Sequence, residues 1–393
     1  MKFLAIFLIT SIALAQSPVP AGAKVVTIST GLIQPEGPVW KDGKLLFSDI
    51  QGNVIYQWLP ADSMRTVYLS PSVNSNGLTL DKQGRLVFTQ MGQRRVSRQE
   101  VDGKITILTA TFRGKRYNSP NDLVVRSDGS IYFTDPDFNV PSGQSVELNF
   151  KGVYRISPTG TVTLLDSSFN KPNGICLSPD ESKLYVNESP LGKIYVWDFV
   201  NDSIIANKKL LYTIPAGGYA DGMKTDPVGN VYCTGPQGVW IVSPAGGYID
   251  KIPMSHGPSN CAWGDADGKT LYITGGYGDG TLYKIRLAPA TGINDHGSLL
   301  MKTDELYANY PNPFNPNTVI SYSLSARSWV TLKIYDSLGR EVAILTNTEQ
   351  PVGFYQIKWS ASTLSSGIYY ALLSTQDANS QRFTSARKMI LEK

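Results

Sequence analysis

Histidine and cysteine are scarce in this chain of 393 residues, which has two of the first and three of the second. The histidines are His256 and His296, and no Gly-x-Ser-x-Gly sequence occurs, which argues against a Ser-His-Asp hydrolase built on a nucleophile elbow. Cys176, Cys233 and Cys261 are an odd number, and each falls inside a predicted strand. A chain this long buries an ample core without disulfides, so the three read as inert buried thiols. Charge is also thin: 17% of residues are charged, the net charge is +4, and no basic block stands out, which argues against nucleic acid as a partner.

Long apolar runs are missing too, apart from Phe3 to Leu14 at the start. That run is too short to span a bilayer, and it follows a single lysine and leads into Ala13 and Ala15. Residues 1–15 are therefore expected to be a signal peptide cleaved before Gln16, leaving no transmembrane segment in the mature protein.

What the sequence does contain is a repeat. Six times a polar residue opens an apolar strand, a turn carrying Gly or Asp follows, and a second strand returns. The opening residues are Glu36, Asn76, Asn121, Asn173, Asp221 and Asn260, spaced 40, 45, 52, 48 and 39 residues apart. Such a period belongs to propeller blades, whose innermost strands line a central channel and deliver corresponding residues to one point on the axis. Two carboxylates and four amides gathered there repel one another and lack water, and a bound cation removes both objections. A lone strand at Val25 to Ser29 is expected to complete the sixth blade beside Thr281 to Leu287 and close the ring.

The expected fold is all-β, a six-bladed β-propeller over residues 23–287 followed by a small Ig-like β-sandwich over 304–393. Residues 288–303, polar and without strand periodicity, read as a linker. Other motifs dissolve into turns. Gly264 to Thr270 has one residue too few for a phosphate loop and lacks the later Glu of a calcium loop, and Gly275 to Gly280 reads as a strand connection. Trp40, Tyr117, Phe138, Tyr219 and Trp263 stand near strand starts or loops, where each could either stack on a sugar ring or pack between blades.

Several of these words together resemble the gluconolactonase branch of the senescence marker protein (regucalcin) family: Glu36-Gly37-Pro38-Val39-Trp40, Ser119-Pro120-Asn121-Asp122-Leu123, Ser127 to Pro136, Pro172-Asn173-Gly174 and Asp221-Gly222-Met223. The resemblance implies a divalent metal held by Glu36, Asn173 and Asp221, with Asn121 and Asp122 facing the substrate. An all-oxygen set suits calcium first, with magnesium, manganese or zinc as alternatives. It further implies a metal-dependent lactonase acting on a sugar-type lactone, with Asp221 or Asp135 as the proton acceptor. In the animal members an arginine stands where this chain has Ser119, so their substrate does not carry over. The alternative from another class is a non-enzymatic surface propeller that binds a ligand or protein.

The tail resembles the C-terminal sorting domain of type IX secretion substrates, through Tyr310 to Pro316, Ile334-Tyr335-Asp336, Ser366 to Tyr369 and the terminal Lys388 to Lys393. That implies passage through the periplasm, with the type IX secretion machinery as partner and the outer surface or medium as destination.

Overall fold

The computed structural model describes residues 17–288 except 202, 203, 216 and 277, and residues 304–392 except 308, 310, 325, 351, 352, 378, 379 and 381. The expected signal peptide and nearly all of the expected linker lie outside the described residues. The chain divides into two compact units between residues 289 and 290.

The first unit contains six four-stranded antiparallel sheets and one short hairpin. Their first strands are Pro35–Lys41, Ser75–Leu80, Leu123–Val125, Pro172–Leu177, Met223–Thr225 and Pro258–Gly264. These touch in cyclic order, the sixth against the first. Five sheets are consecutive meanders, whereas the sixth takes its outermost strand from the N-terminus: Val26–Leu32 pairs antiparallel with Gly280–Arg286. The last sheet is thus joined from both ends of the unit, and no open edge is left there.

Each pair of neighbouring sheets encloses its own apolar cluster, and the cluster of Leu45, Phe47, Tyr272 and Leu282 joins the sixth sheet to the first. Every second strand is therefore covered on both faces. Leu45 and Phe47 point to one neighbour and Leu46 to the other, and all three are fully buried. The second strands are consequently apolar runs, as in Leu45-Leu46-Phe47. The cysteines belong to these clusters, buried and unpaired.

One hydrogen-bond pattern repeats around the ring. In five sheets a fully buried polar residue near the end of the second strand reaches across to the opening segment of the next sheet. Ser48 Oγ donates to the Asn76 carbonyl at 2.8 Å, Thr89 Oγ1 to Asn121 at 2.7 Å, and Thr134 Oγ1 to Asn173 at 2.7 Å. Asn187 Nδ2 does the same for Asp221, and Thr234 Oγ1 for Ser259 at 2.7 Å. Ser259 Oγ, bonded to Thr274 Oγ1, closes the circle on the Pro35 carbonyl at 2.7 Å. The backbone bearing each opening residue is thereby fixed by the preceding sheet.

Thr134→Val keeps the shape but leaves the Asn173 carbonyl without this donor. A loss of about 1–3 kcal/mol is expected in urea unfolding, with Thr134→Ser recovering most of it.

In the second unit, a sheet of Glu305–Leu306, Asn317–Leu324 and Gly353–Ser360 shares one core with a sheet of Glu341–Gln350, Ser328–Asp336, Gly367–Asp377 and Arg382–Leu391. Ile320, Tyr322 and Leu324 of the first interlock with Val330, Leu332, Ile334 and Leu373 of the second. The proline-rich segment clamps the final strand. The Asn312 side chain bonds Ile390 N and Lys388 O at 2.8 and 3.0 Å, and Phe314 pairs through its backbone with Ile390 and Glu392.

Candidate functional site

The opening residues owe their aim to local irregularity. In four of the six sheets the strand register shifts at the opener, between Glu36 and Val39, Ser75 and Leu78, Pro172 and Ile175, and Pro258 and Asn260. An extra residue there turns a side chain that would otherwise follow the strand alternation. Glycine follows the opener because the next sheet stands too close for anything larger. A Cβ on Gly174 would lie 2.1 Å from the Asp221 carbonyl oxygen, and one on Gly37, at φ +51°, 2.1 Å from that of Asn76. In the third and sixth sheets this slot holds Asp122 and Cys261 instead.

The result is a dense acidic cluster. Glu36 Oε2 accepts from Gly37 N at 2.7 Å and from Asn260 Nδ2 at 3.1 Å. Burial, and then the charge of Asp122, raise its pKa to about 7. Asp221 is raised well above the ordinary carboxylate range, by burial first and then by Glu36 and Asp122, while the Asn173 amide opposes the shift. Burial also raises Asp122, which Lys224 and the Leu123 amide partly counter. Glu36, Asp122, Asn173, Asp221 and Asn260 therefore form one interacting group.

Glu36 and Asp221 also line one open cavity of about 250 Å³. The buried Oδ1 atoms of Asn76 and Asn173 have no hydrogen-bond partner among the described residues. Asn121 is buried with its carbonyl held by Thr89 Oγ1 and by Gly77 N at 2.8 Å, adjacent in the chain to Asp122.

Asp135 is placed elsewhere. Its two oxygens accept the amides of Asn118 and Ser119 at 2.8 and 2.7 Å, and its charged neighbours are Arg94 and Asp137 rather than the cluster. Burial raises it to about 7. Asp49, at the corresponding strand end of the first sheet, binds the amides of Gln34 and Ile33 at 2.8 and 3.0 Å, and Glu188 of the fourth binds Asn170 N at 2.9 Å. Asp135 thus belongs to a staple, found in three of the sheets, that ties down the loop before the first strand. The signal was present in the sequence, since all three acids end the second strand of their repeats.

Among the aromatic candidates, Trp40 stacks on Tyr272 with centroids 5.5 Å apart, Tyr117 packs edge-on against Phe133 and Tyr154, and Trp263 donates to Thr225 O at 2.8 Å. Phe138 lies under the Lys171 ammonium at 4.8 Å. Tyr219 alone of the five borders the cavity of Glu36 and Asp221. Two members of the cluster escaped the sequence reading as site residues: Asn260, visible only as a repeat opener, and Lys224, on a three-residue strand too short to show which way it points.

No three or more His, Cys, Asp or Glu side chains are grouped to hold a metal among the described residues. The donors available at the cluster are oxygens from two carboxylates and an unpartnered amide, a set that fits a hard cation and not a soft one. Without a cation the raised groups have a measurable consequence. A carboxyl whose pKa rises on folding binds its proton more tightly in the folded chain, so its contribution is complete below the unfolded value and is lost as pH rises to the folded one. For Glu36 and Asp135 the window runs from about pH 4 to 7, and each accounts for about 3–4 kcal/mol at most. Chelator-treated protein should therefore lose thermal stability across that window, and added calcium should restore more of it at pH 8 than at pH 5.

Comparison with known proteins supplies the remaining context. Residues 34–276 match the SMP-30/Gluconolactonase/LRE-like region, and residues 308–391 match the secretion system C-terminal sorting domain. A gluconolactonase of Zymomonas mobilis is 33% identical over 280 residues, which is 64% of this chain and 78% of that protein. A pentonolactonase of Haloferax volcanii is 24% identical, covering 63% and 83%. The solved structure of a gluconolactonase from Xanthomonas campestris superposes with a TM-score of 0.62 at 32% identity, covering 67% of this chain and 90% of that one. The repeats, the converging openers and a match spanning well over half of the sequence agree: this chain belongs to the SMP-30/gluconolactonase/LRE-like family.

Proposed function

We propose that the protein is an exported, divalent-cation-dependent lactonase that opens a small sugar-type lactone to its hydroxy acid. One observation carries this reading above the others. Two buried carboxylates, each raised by burial and by a neighbouring acid, border a single open cavity, beside an amide oxygen left without a partner. A site that only packed the ring would have neutralised that charge. Lactonase relatives at about one-third identity support the same chemistry.

Glu36, Asn173 and Asp221 are the residues that would hold the cation, calcium by donor type. When bound, it would polarise the lactone carbonyl and offset charge building on its oxygen. Asn121 orients the ester or the attacking water, and Asp122 supports it from the adjoining position. Water adds to the carbonyl carbon as Asp221 accepts its proton. The ring C–O bond then breaks, and the same proton passes to the departing alkoxide oxygen, so the carboxylate is regenerated. Asp135 is read as a positioning residue for the Asn118–Ser119 segment that leads into Asn121.

The architecture behind this reading is a six-bladed propeller, one sheet to a blade, with an Ig-like sandwich as the export tail. Residues 1–15 would direct the chain to the periplasm, and the sorting domain would carry it through the type IX machinery to the surface or medium. Acid release from sugar, aromatic and acyl-homoserine lactones, with and without chelator, tests the activity. Chelator-sensitive turnover of a sugar lactone is expected. No turnover of any lactone by metal-loaded protein would favour a ligand-binding surface propeller instead.

A further inference from the structure

The cavity beside Glu36 and Asp221 has walls of an unusual kind. Pro35, Pro236 and Pro258 supply rigid apolar surface, and among the described residues only two long side chains, Gln34 and Tyr219, border it besides Glu36. Tyr219 is 72% exposed and sits at φ +55°, directly after Gly217 at +70° and Gly218 at +49°. A left-handed backbone is unfavourable for a bulky aromatic residue, and such outliers persist where surrounding structure enforces them, most often at ligand sites. The enforcement is visible here. Gly217 N bonds Ile214 O and Ala220 N bonds Ser189 O, both at 3.1 Å, pinning the turn on either side of the ring. Core packing does not explain a large apolar ring held exposed in this way.

Gln34 supplies the second, independent observation. Its backbone is fixed at both ends, the amide by Asp49 Oδ1 at 2.8 Å and the carbonyl by Ile50 N at 2.9 Å. Its side-chain Oε1 is nevertheless buried with no hydrogen-bond partner among the described residues. The Gln34 side chain borders the cavity, so a turn of its amide would offer this unpaired acceptor to a donor bound there.

Resting on the lactonase reading, we propose that Tyr219 and Gln34 form the subsite that selects a hydroxylated lactone ring. The Tyr219 ring covers the C–H face of the substrate, and Gln34 Oε1 accepts a hydrogen bond from a ring hydroxyl. The prolines and glycines between them limit the space to one small ring. A bare lactone satisfies the tyrosine but leaves the glutamine unpaired, and therein lies the selectivity. Neither residue touches the reacting bond, so both act on binding rather than on the chemical step.

The test compares glucono-δ-lactone with δ-valerolactone, which has the same ring without hydroxyls, and adds binding of 1,5-anhydroglucitol, which has the hydroxyls without the ester. Gln34→Leu should lower kcat/KM for glucono-δ-lactone about tenfold, the worth of one hydrogen bond, and change δ-valerolactone less than twofold. Tyr219→Asn removes the ring yet tolerates the left-handed backbone. It should raise KM for both lactones about tenfold at nearly constant kcat, while Tyr219→Phe behaves as wild type. Saturation-transfer NMR should show 1,5-anhydroglucitol bound by wild type and released in Gln34→Leu.

Equal losses on both lactones in Gln34→Leu, or unchanged KM in Tyr219→Asn, would overturn the subsite while leaving the lactonase reading intact. Wild-type protein that opens neither lactone yet binds 1,5-anhydroglucitol through Gln34 and Tyr219 would uphold the subsite and sink the lactonase reading.

Discussion

Asp221→Ala is expected to lower lactone turnover by on the order of 10³-fold or more, because the proposed mechanism gives this one residue the roles of cation ligand and proton acceptor. Stability should respond in opposite directions according to metal. In chelator the variant should be at least as stable as wild type, since it removes a carboxyl that burial, Glu36 and Asp122 all hold away from its ordinary ionisation. In calcium the wild type should gain and the variant should not, because binding energy available only to the folded state is folding energy. Differential scanning calorimetry in both conditions, beside a pH-stat assay, reads both effects. An Asp221→Ala protein with wild-type turnover would move the chemistry away from the axis.

Gly174→Ala is expected to be as damaging although it touches no substrate. The added methyl would meet the Asp221 carbonyl oxygen at 2.1 Å and the Asn187 amide nitrogen at 2.8 Å. The first of these is backbone already tied to Asn187, so the fourth and fifth sheets must separate or Asp221 must move. A loss of about 3 kcal/mol or more is expected, in the range of overpacked cores, with turnover and calcium affinity falling together. Chemical denaturation and calcium titration of the purified variant test this. Near-wild-type stability would mean that the inner strands are not packed as tightly around the axis as these distances require.

The contrast between these sites and Asp135 shows what the sequence can express. Glu36, Asn173 and Asp221 were legible because each pairs a polar residue with a following glycine at a blade-like interval, and both features have steric or electrostatic causes that recur with each repeat. Closure of the sixth sheet by the N-terminal strand was legible because an unpaired strand before the first repeat has one obvious use. Asp135 was ambiguous because an acid at a strand end looks alike whether it faces a substrate or caps a loop. Its two amide partners, and the same arrangement at Asp49, appear only in three dimensions.

Lys224 illustrates a different limit. It enters the cluster through a direction of approach that depends on the closing of the ring, and no spacing along the chain encodes it. Gln34 has the same character. Nothing in its neighbourhood of sequence marks it, and only a buried acceptor bordering a cavity does.

In the proposed reading Glu36, Asn173 and Asp221 hold a single divalent cation on which lactone opening depends. Calorimetric titration of chelator-treated protein with calcium, with turnover of glucono-δ-lactone followed in the same samples, measures both. One calcium bound per chain is expected, with activity rising in step with occupancy. Full turnover by protein that binds no divalent cation would contradict it.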